Sequence, residues 1–195
     1  MKKKYTRGSS FIENYLAVLR AKKADSLIPI DKRSGSILDI GCGLFPYFLT
    51  KTNFKTKIGI DKIKSENVKE IRIINVNIEK IDYLPFKDET FDVVTSLAVF
   101  EHIERTKILK VFKEIKRILK KGGFLILTTP NYFSDFILKT MARLKIVSHE
   151  EILEHKKLFT KKEIIKFLMK AGFSEKNIEA GYFEFGFNIY VKAKK

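Results

Sequence analysis

Short apolar runs alternate along the chain with longer amphipathic ones, the order expected of parallel strands joined by helical crossovers. Strands are predicted over 36–40, 56–60, 71–76, 91–96 and 124–129, where aliphatic residues cluster in runs too short for helices. A first helix is predicted over 11–27, with Phe11, Tyr15, Leu16, Leu19 and Ala24 on one face, ending before Pro29. Over 106–121, Ile108, Val111, Phe112, Ile115, Ile118 and Leu119 recur at helical spacing, and Gly122 with Gly123 supplies a stop. Thr160 and Glu163 form a capping box for a helix that turns Ile164, Ile165, Phe167 and Leu168 inward and stops at Gly172. Two aromatic-rich strands, over 178–183 and 187–193, complete the sheet. Residues 131–159 hold Tyr132, Phe133, Phe136 and Met141 but no strand, and they read as a helical cap over a substrate pocket.

The expected architecture is therefore α/β: a doubly wound, Rossmann-like, mostly parallel sheet with helices on both faces. A single domain is expected over 1–195, divided into an N-terminal helical segment (1–33), a cofactor-binding core (34–130), the cap (131–159) and a C-terminal helix with its strands (160–195). A chain of 195 residues with 45% hydrophobic content can bury a core without metal or disulfide staples. Its one cysteine, Cys42, excludes an internal disulfide and suits a reducing cytoplasm. Glu13, Asn14, Arg20 and Lys22 interrupt the first amphipathic stretch, so neither a secretory h-region nor a transmembrane span is expected.

The formal net charge of +16 draws polyanions over long range. The lysines are dispersed (Lys22 and Lys23, Lys120 and Lys121, Lys161 and Lys162, Lys194 and Lys195), a pattern closer to a solvated surface than to a nucleic-acid face.

The candidate chemistry begins at Ile37-Leu38-Asp39-Ile40-Gly41-Cys42-Gly43, where a buried strand runs into two glycines that let the backbone turn and approach a ligand. A dinucleotide fingerprint asks for a small residue where Pro46 stands, and Asp39 would face a doubly anionic pyrophosphate. No Gly-Lys-Ser or Gly-Lys-Thr follows, which excludes a P-loop. S-adenosylmethionine instead offers an ammonium and a sulfonium and carries no phosphate, so the Asp39 carboxylate becomes favourable. Asp61, ending Ile58-Gly59-Ile60-Asp61 at the tip of the second strand, is placed to accept ribose hydroxyls. Asn77 and Ile78, just past the third strand, suit the edge and face of adenine, or form an ordinary strand-to-helix turn.

Six segments carry a family resemblance: LDIGCG at 38–43, IGID at 58–61, LPFKDETFDVV at 84–94, SLAVFEHI at 96–103, LKKGGFLILTTPN at 119–131 and LFTKKEIIKFLMKAGF at 158–173. In that order they resemble the class I S-adenosylmethionine-dependent methyltransferases, especially the small-molecule group that includes the ubiquinone and menaquinone biosynthetic enzymes. The resemblance implies a seven-stranded sheet with its last strand antiparallel. It also implies that Asp39, Gly41, Cys42 and Gly43 line the methionine end, Asp61 the ribose, Asn77 and Ile78 the adenine, with Leu97 closing over the cofactor. Where the family often carries a third loop glycine this chain has Phe45, followed by Pro46, which changes the mouth of the pocket.

Methyl transfer from a sulfonium is an in-line displacement, so the protein mainly aligns the acceptor and, for some acceptors, removes a proton. His102, in the loop after the fourth strand, is the general-base candidate, with a structural capping histidine as the alternative. Glu101 and His102 resemble part of a metal-binding Glu-x-x-Glu-His run, but its first glutamate is Ala98 here, and His149 and His155 are distant in sequence. No metal is expected. Cys42 lies inside the tight turn and is expected to pack there without reacting.

The leading expectation is methyl transfer to oxygen or nitrogen of a small-molecule acceptor. A loose likeness of residues 11–20 to methyltransferases of surface-polysaccharide biosynthesis leans toward a sugar. The alternatives are an RNA methyltransferase, motivated by the charge, and a non-catalytic cofactor-binding regulator. The oligomeric state is not legible in the sequence.

Overall fold

In the computed structural model the described residues are 11–132 and 158–195, and they form one seven-stranded sheet. The strands are β1 (Ser36–Ile40), β2 (Thr56–Asp61), β3 (Ile71–Asn75), β4 (Phe91–Leu97), β5 (Leu119–Pro130), β6 (Ile178–Phe183) and β7 (Asn188–Lys194). Their spatial order is β3-β2-β1-β4-β5-β7-β6. β1 to β5 pair in parallel, and β7 runs antiparallel to both β5 and β6, as the family resemblance implies.

Helices cover both faces, because alternate residues of each central strand point to opposite sides. Ile37, Val93 and Ile126 face one layer, where they pack with Ala21, Ala24 and Leu27 of α1 (Phe11–Leu27) and with Phe48 and Leu49 of α2 (Tyr47–Lys51). Leu38, Ile40, Val94, Leu125 and Leu127 face the other. There Ile108, Val111, Phe112 and Ile115 of α3 (Ile108–Ile118) and Ile164 and Leu168 of α4 (Lys161–Lys170) complete the core. Each such Leu or Ile, fully buried, contributes about 1.5–3 kcal/mol relative to exposure.

The capping box of α4 is formed in both directions: Thr160 Oγ1 accepts from the Glu163 N–H at 3.3 Å, and Glu163 Oε2 accepts from the Thr160 N–H at 2.9 Å. Two sequence expectations are corrected. The third helix spans only Ile108–Ile118, and Leu119 with Lys120 already belongs to β5. Leu119 pairs with Phe91 and Lys120 Nζ reaches Asp92 Oδ2 at 2.7 Å, so sheet pairing claims these residues and the two glycines fall inside the strand. On α1, the buried side is Ala21, Ala24 and Leu27, while Tyr15 is 58% exposed. The cap expected over 131–159 falls mainly on 133–157, outside the described residues; its flanks meet in a parallel bridge between Asn131 and Phe159.

Candidate active site

The strand order reverses between β1 and β4, since β1 leads outward to β2 and β3 while β4 leads the other way to β5. Crossovers that leave in opposite directions open a crevice at the carboxyl ends of those two strands, the usual ligand position in such sheets. The Gly41–Gly43 turn stands at that crevice.

Gly41 and Gly43 have φ of 76° and 73°, the left-handed region that costs glycine nothing. Gly41 also has no room for a side chain: an added Cβ would lie 2.3 Å from Val99 Cγ2. The turn is held from below by the Gly41 and Cys42 N–H groups, which donate to the Ile60 carbonyl at 2.8 and 3.2 Å. Cys42 is buried, and its sulfur occupies the space where a Cβ on Gly59 would fall, 2.7 Å away. Burial, and then the charges of Asp39 and Asp61, push its thiol up, away from the reactive thiolate.

Asp39 and Asp61 reach the crevice from adjacent strands. Asp39 is 4% exposed and accepts from Thr95 Oγ1 at 2.6 Å. Burial raises its carboxyl from the ordinary range to about 7; the Thr95 bond opposes the rise and the Asp61 charge adds to it. Asp61 is tied to the glycine turn, with Oδ2 accepting from the Gly43 N–H at 2.9 Å and Oδ1 from the Ile63 N–H at 2.9 Å. A carboxylate carries about four lone-pair sites, so the two oxygens retain acceptor capacity.

At the third strand, the Val76 N–H donates to the Asp61 carbonyl at 2.9 Å, which fixes the chain just ahead of Asn77. Asn77 Oδ1 accepts from the Glu79 N–H at 3.0 Å, an Asx turn that leaves its Nδ2 to donate. Ile78 is half-buried against the core on the α3 side. Leu97 ends β4 and packs on the α1 and α2 side, followed by Ala98 with φ of 56°. Phe45 is half-buried, and its carbonyl accepts from the Tyr47 N–H at 2.7 Å at the entrance to α2.

His102 lies in the single 3-10 turn Phe100–His102 after β4. It is half-buried, and its N–H donates to the Val99 carbonyl at 3.0 Å. Its neighbour Glu101 points into the fold instead: it is 2% exposed and accepts from Thr129 Oγ1 at 3.0 Å. Burial raises the Glu101 carboxyl to about 7, opposed by backbone hydrogen bonding, the charge of Arg20 and the Thr129 bond. A group whose folded pKa lies above its unfolded value stabilises the fold at low pH and loses that contribution as pH rises through the folded value. The cofactor-free protein is therefore expected to become less stable between pH 5 and 8. Glu101→Gln should flatten that slope and gain on the order of 2 kcal/mol at pH 8, read by thermal unfolding at several pH values; equal slopes would exclude this role for Glu101.

Among the described residues no group of three or more His, Cys, Asp and Glu is placed to hold a metal ion; His149 and His155 lie outside them. No helix of the described residues is long and apolar enough to cross a membrane. The sequence reading missed a polar group beside this turn: Thr129 bonds Glu101, the Arg20 charge acts on both Glu101 and Glu184, and Asn188 donates to Glu184. They come from elements far apart in the chain and share no motif.

Comparison with known proteins agrees with this geometry. Residues 38–127 match a family model described as a methyltransferase domain. Two uncharacterized proteins of Methanocaldococcus jannaschii are similar: one is 36% identical over 77% of this chain and 68% of its own length, the other 34% identical over 70% and 53%. The chain thus spans only about half the length of the second. A crystal structure of a SAM-dependent methyltransferase from Thermotoga maritima superposes with a TM-score of 0.67 at 21% identity, covering 95% of this chain and 96% of that one, a likeness of fold. With the glycine turn, the paired strand-tip carboxylates and the β7 insertion in place, the chain belongs to the class I S-adenosylmethionine-dependent methyltransferases, the family whose cofactor is S-adenosylmethionine.

Proposed function

We propose that this chain transfers a methyl group from S-adenosylmethionine to oxygen or nitrogen of a small metabolite. The observation that carries the reading is Asp39: a carboxylate buried beside two positive-φ glycines, with one side-chain hydrogen bond, is completed by a cation and opposed by a phosphate. In this reading Asp39 and the backbone of Gly41, Cys42 and Gly43 hold the methionine end. Asp61 uses its spare lone pairs for the ribose hydroxyls, and Asn77 Nδ2 donates to the adenine ring while Ile78 and Leu97 supply apolar contact.

When bound, S-adenosylmethionine supplies a methyl whose carbon–sulfur bond breaks as the acceptor's oxygen or nitrogen bonds to carbon, leaving adenosylhomocysteine as a neutral thioether. His102 takes the acceptor's proton, from a turn that the Val99 carbonyl holds in place. The orientation of the acceptor contributes the rest of the rate.

A second reading, methylation of RNA, rests on the +16 charge and predicts a complex whose log affinity falls steeply with log salt. One experiment separates the two. Calorimetry should show adenosylhomocysteine binding, and labelled S-adenosylmethionine incubated with a cell extract split by size should label the fraction below the size of RNA. Label appearing only in RNA would replace the first reading with the second, and absence of adenosylhomocysteine binding would end both.

A further inference from the structure

α1 lies across β7, with Lys23 Nζ 3.8 Å from the centre of the Tyr190 ring. One turn earlier on α1 is Arg20, and two residues earlier on β7, on the same face, is Asn188. Because β7 runs antiparallel to β5, that step leads toward the carboxyl end of β5, where Asn188 pairs with Pro130. Glu184 closes the group from the turn between β6 and β7: Asn188 Nδ2 donates to Glu184 Oε2, and the Arg20 charge acts on both Glu184 and Glu101.

Three atoms of this group are buried and have no hydrogen-bond partner: Arg20 Nε, Glu184 Oε1 and Asn188 Oδ1, the last on a side chain only 6% exposed. A buried polar group without a partner is destabilising, so three together call for a ligand that completes them. The backbone around them is also strained, since Glu184 and Phe185 both adopt positive φ (52° and 54°), a conformation that persists where the surroundings hold it. The hairpin is anchored there by Asn131, whose Nδ2 donates to the Gly186 carbonyl at 3.0 Å and whose N–H donates to the Phe187 carbonyl at 2.8 Å.

The unpartnered set is one donor and two acceptors, and its charges are mixed. A cationic amine would meet the acceptors but would face Arg20 and leave its Nε unpaired. A carboxylate or phosphate would meet Arg20 but would face Glu184 and Glu101. A hydroxyl both donates and accepts, so several hydroxyls on a neutral frame pair with all three atoms at no charge penalty. We propose that Arg20, Glu184 and Asn188 form an acceptor subsite for a neutral polyhydroxylated molecule of the carbohydrate type.

This inference rests on the methyltransfer reading, and its test keeps the two apart. Calorimetry with adenosylhomocysteine examines the cofactor site alone, and failure there strikes the methyltransfer reading. On the protein saturated with adenosylhomocysteine, saturation-transfer NMR is run with the methyl glycosides of glucose, galactose, mannose and rhamnose. Glucosamine and glucuronic acid serve as charged comparators. At least one neutral glycoside should bind, and its affinity should fall at least tenfold in Asn188→Leu and in Arg20→Met, with adenosylhomocysteine affinity unchanged within twofold. Glu184→Gln, nearly isosteric, should weaken the glycoside without loss of fold. Binding of no neutral glycoside, tighter binding of a charged comparator, or glycoside binding indifferent to the substitutions would each overturn the proposal.

Discussion

Gly41→Ala is expected to destabilise the fold by about 2–5 kcal/mol and to weaken adenosylhomocysteine binding at least tenfold. Two costs add. The alanine would have to hold φ near 76°, worth about 1–2 kcal/mol for an L-residue. Its Cβ would also fall 2.3 Å from Val99 Cγ2 and 3.2 Å from Cγ1, so Val99 or the turn must move. Overpacking of that kind costs about 1–3 kcal/mol, and the turn must move away from the ligand to relieve it. Thermal unfolding and calorimetry read the two effects. Val99→Ala placed on top of Gly41→Ala should recover the contact share and leave the backbone share, a positive coupling in a double-mutant cycle. Wild-type stability and affinity in Gly41→Ala would mean that the turn does not touch the ligand.

The second large effect is at Asp39. With the carboxyl raised to about 7 in the free protein, roughly half of the molecules carry it protonated at neutral pH. A cation at the turn prefers the ionised form, so binding expels a proton and affinity should climb as pH rises from 6 to 8. For a single group near 7 the ionised fraction changes by roughly tenfold over that range. Asp39→Asn keeps the size and the contact with Thr95 but cannot ionise. Its affinity at pH 8 should be about 10–100-fold lower, the worth of a hydrogen bond to a charged group. The ratio of the wild-type affinity to that of the Asp39→Asn variant cancels the ligand's own titration, and that ratio should rise with pH. A ratio flat from pH 6 to 8 would show that the carboxylate does not meet the cation.

Much of this was legible in the chain because local chemistry and tertiary structure agree. β1 and β6 fall where their apolar runs place them, over Ser36–Ile40 and Ile178–Phe183, and Thr160 with Glu163 caps α4 as their spacing requires. The junction at Leu119 was not legible. Gly122 and Gly123 are a sound helix stop by local rules, but pairing with Phe91 and the contact to Asp92 draw Leu119 and Lys120 into the sheet first. Tyr15 shows the same competition on α1, where the small residues Ala21 and Ala24 allow close approach to the sheet and the aromatic turns outward.

The proposed cofactor residues were legible because each stands at or just past the tip of a strand beside its motif. The proposed acceptor subsite is different in kind. Arg20, Glu101, Glu184 and Asn188 come from a helix, a turn, a hairpin and an antiparallel strand, and only the fold brings them together. No spacing rule links positions that far apart, so their shared chemistry emerges only from coordinates.

The place of β7 between β5 and β6 bears on how the molecule assembles. β6 leaves the ribosome before β7, yet among the described residues its one neighbour in the sheet is β7. The margin of β5 that β7 fills therefore waits until residues 188–194 are made, and β6 and β7 then dock together as a hairpin. During that interval the open margin is a target for chaperones and for aggregation with other nascent copies.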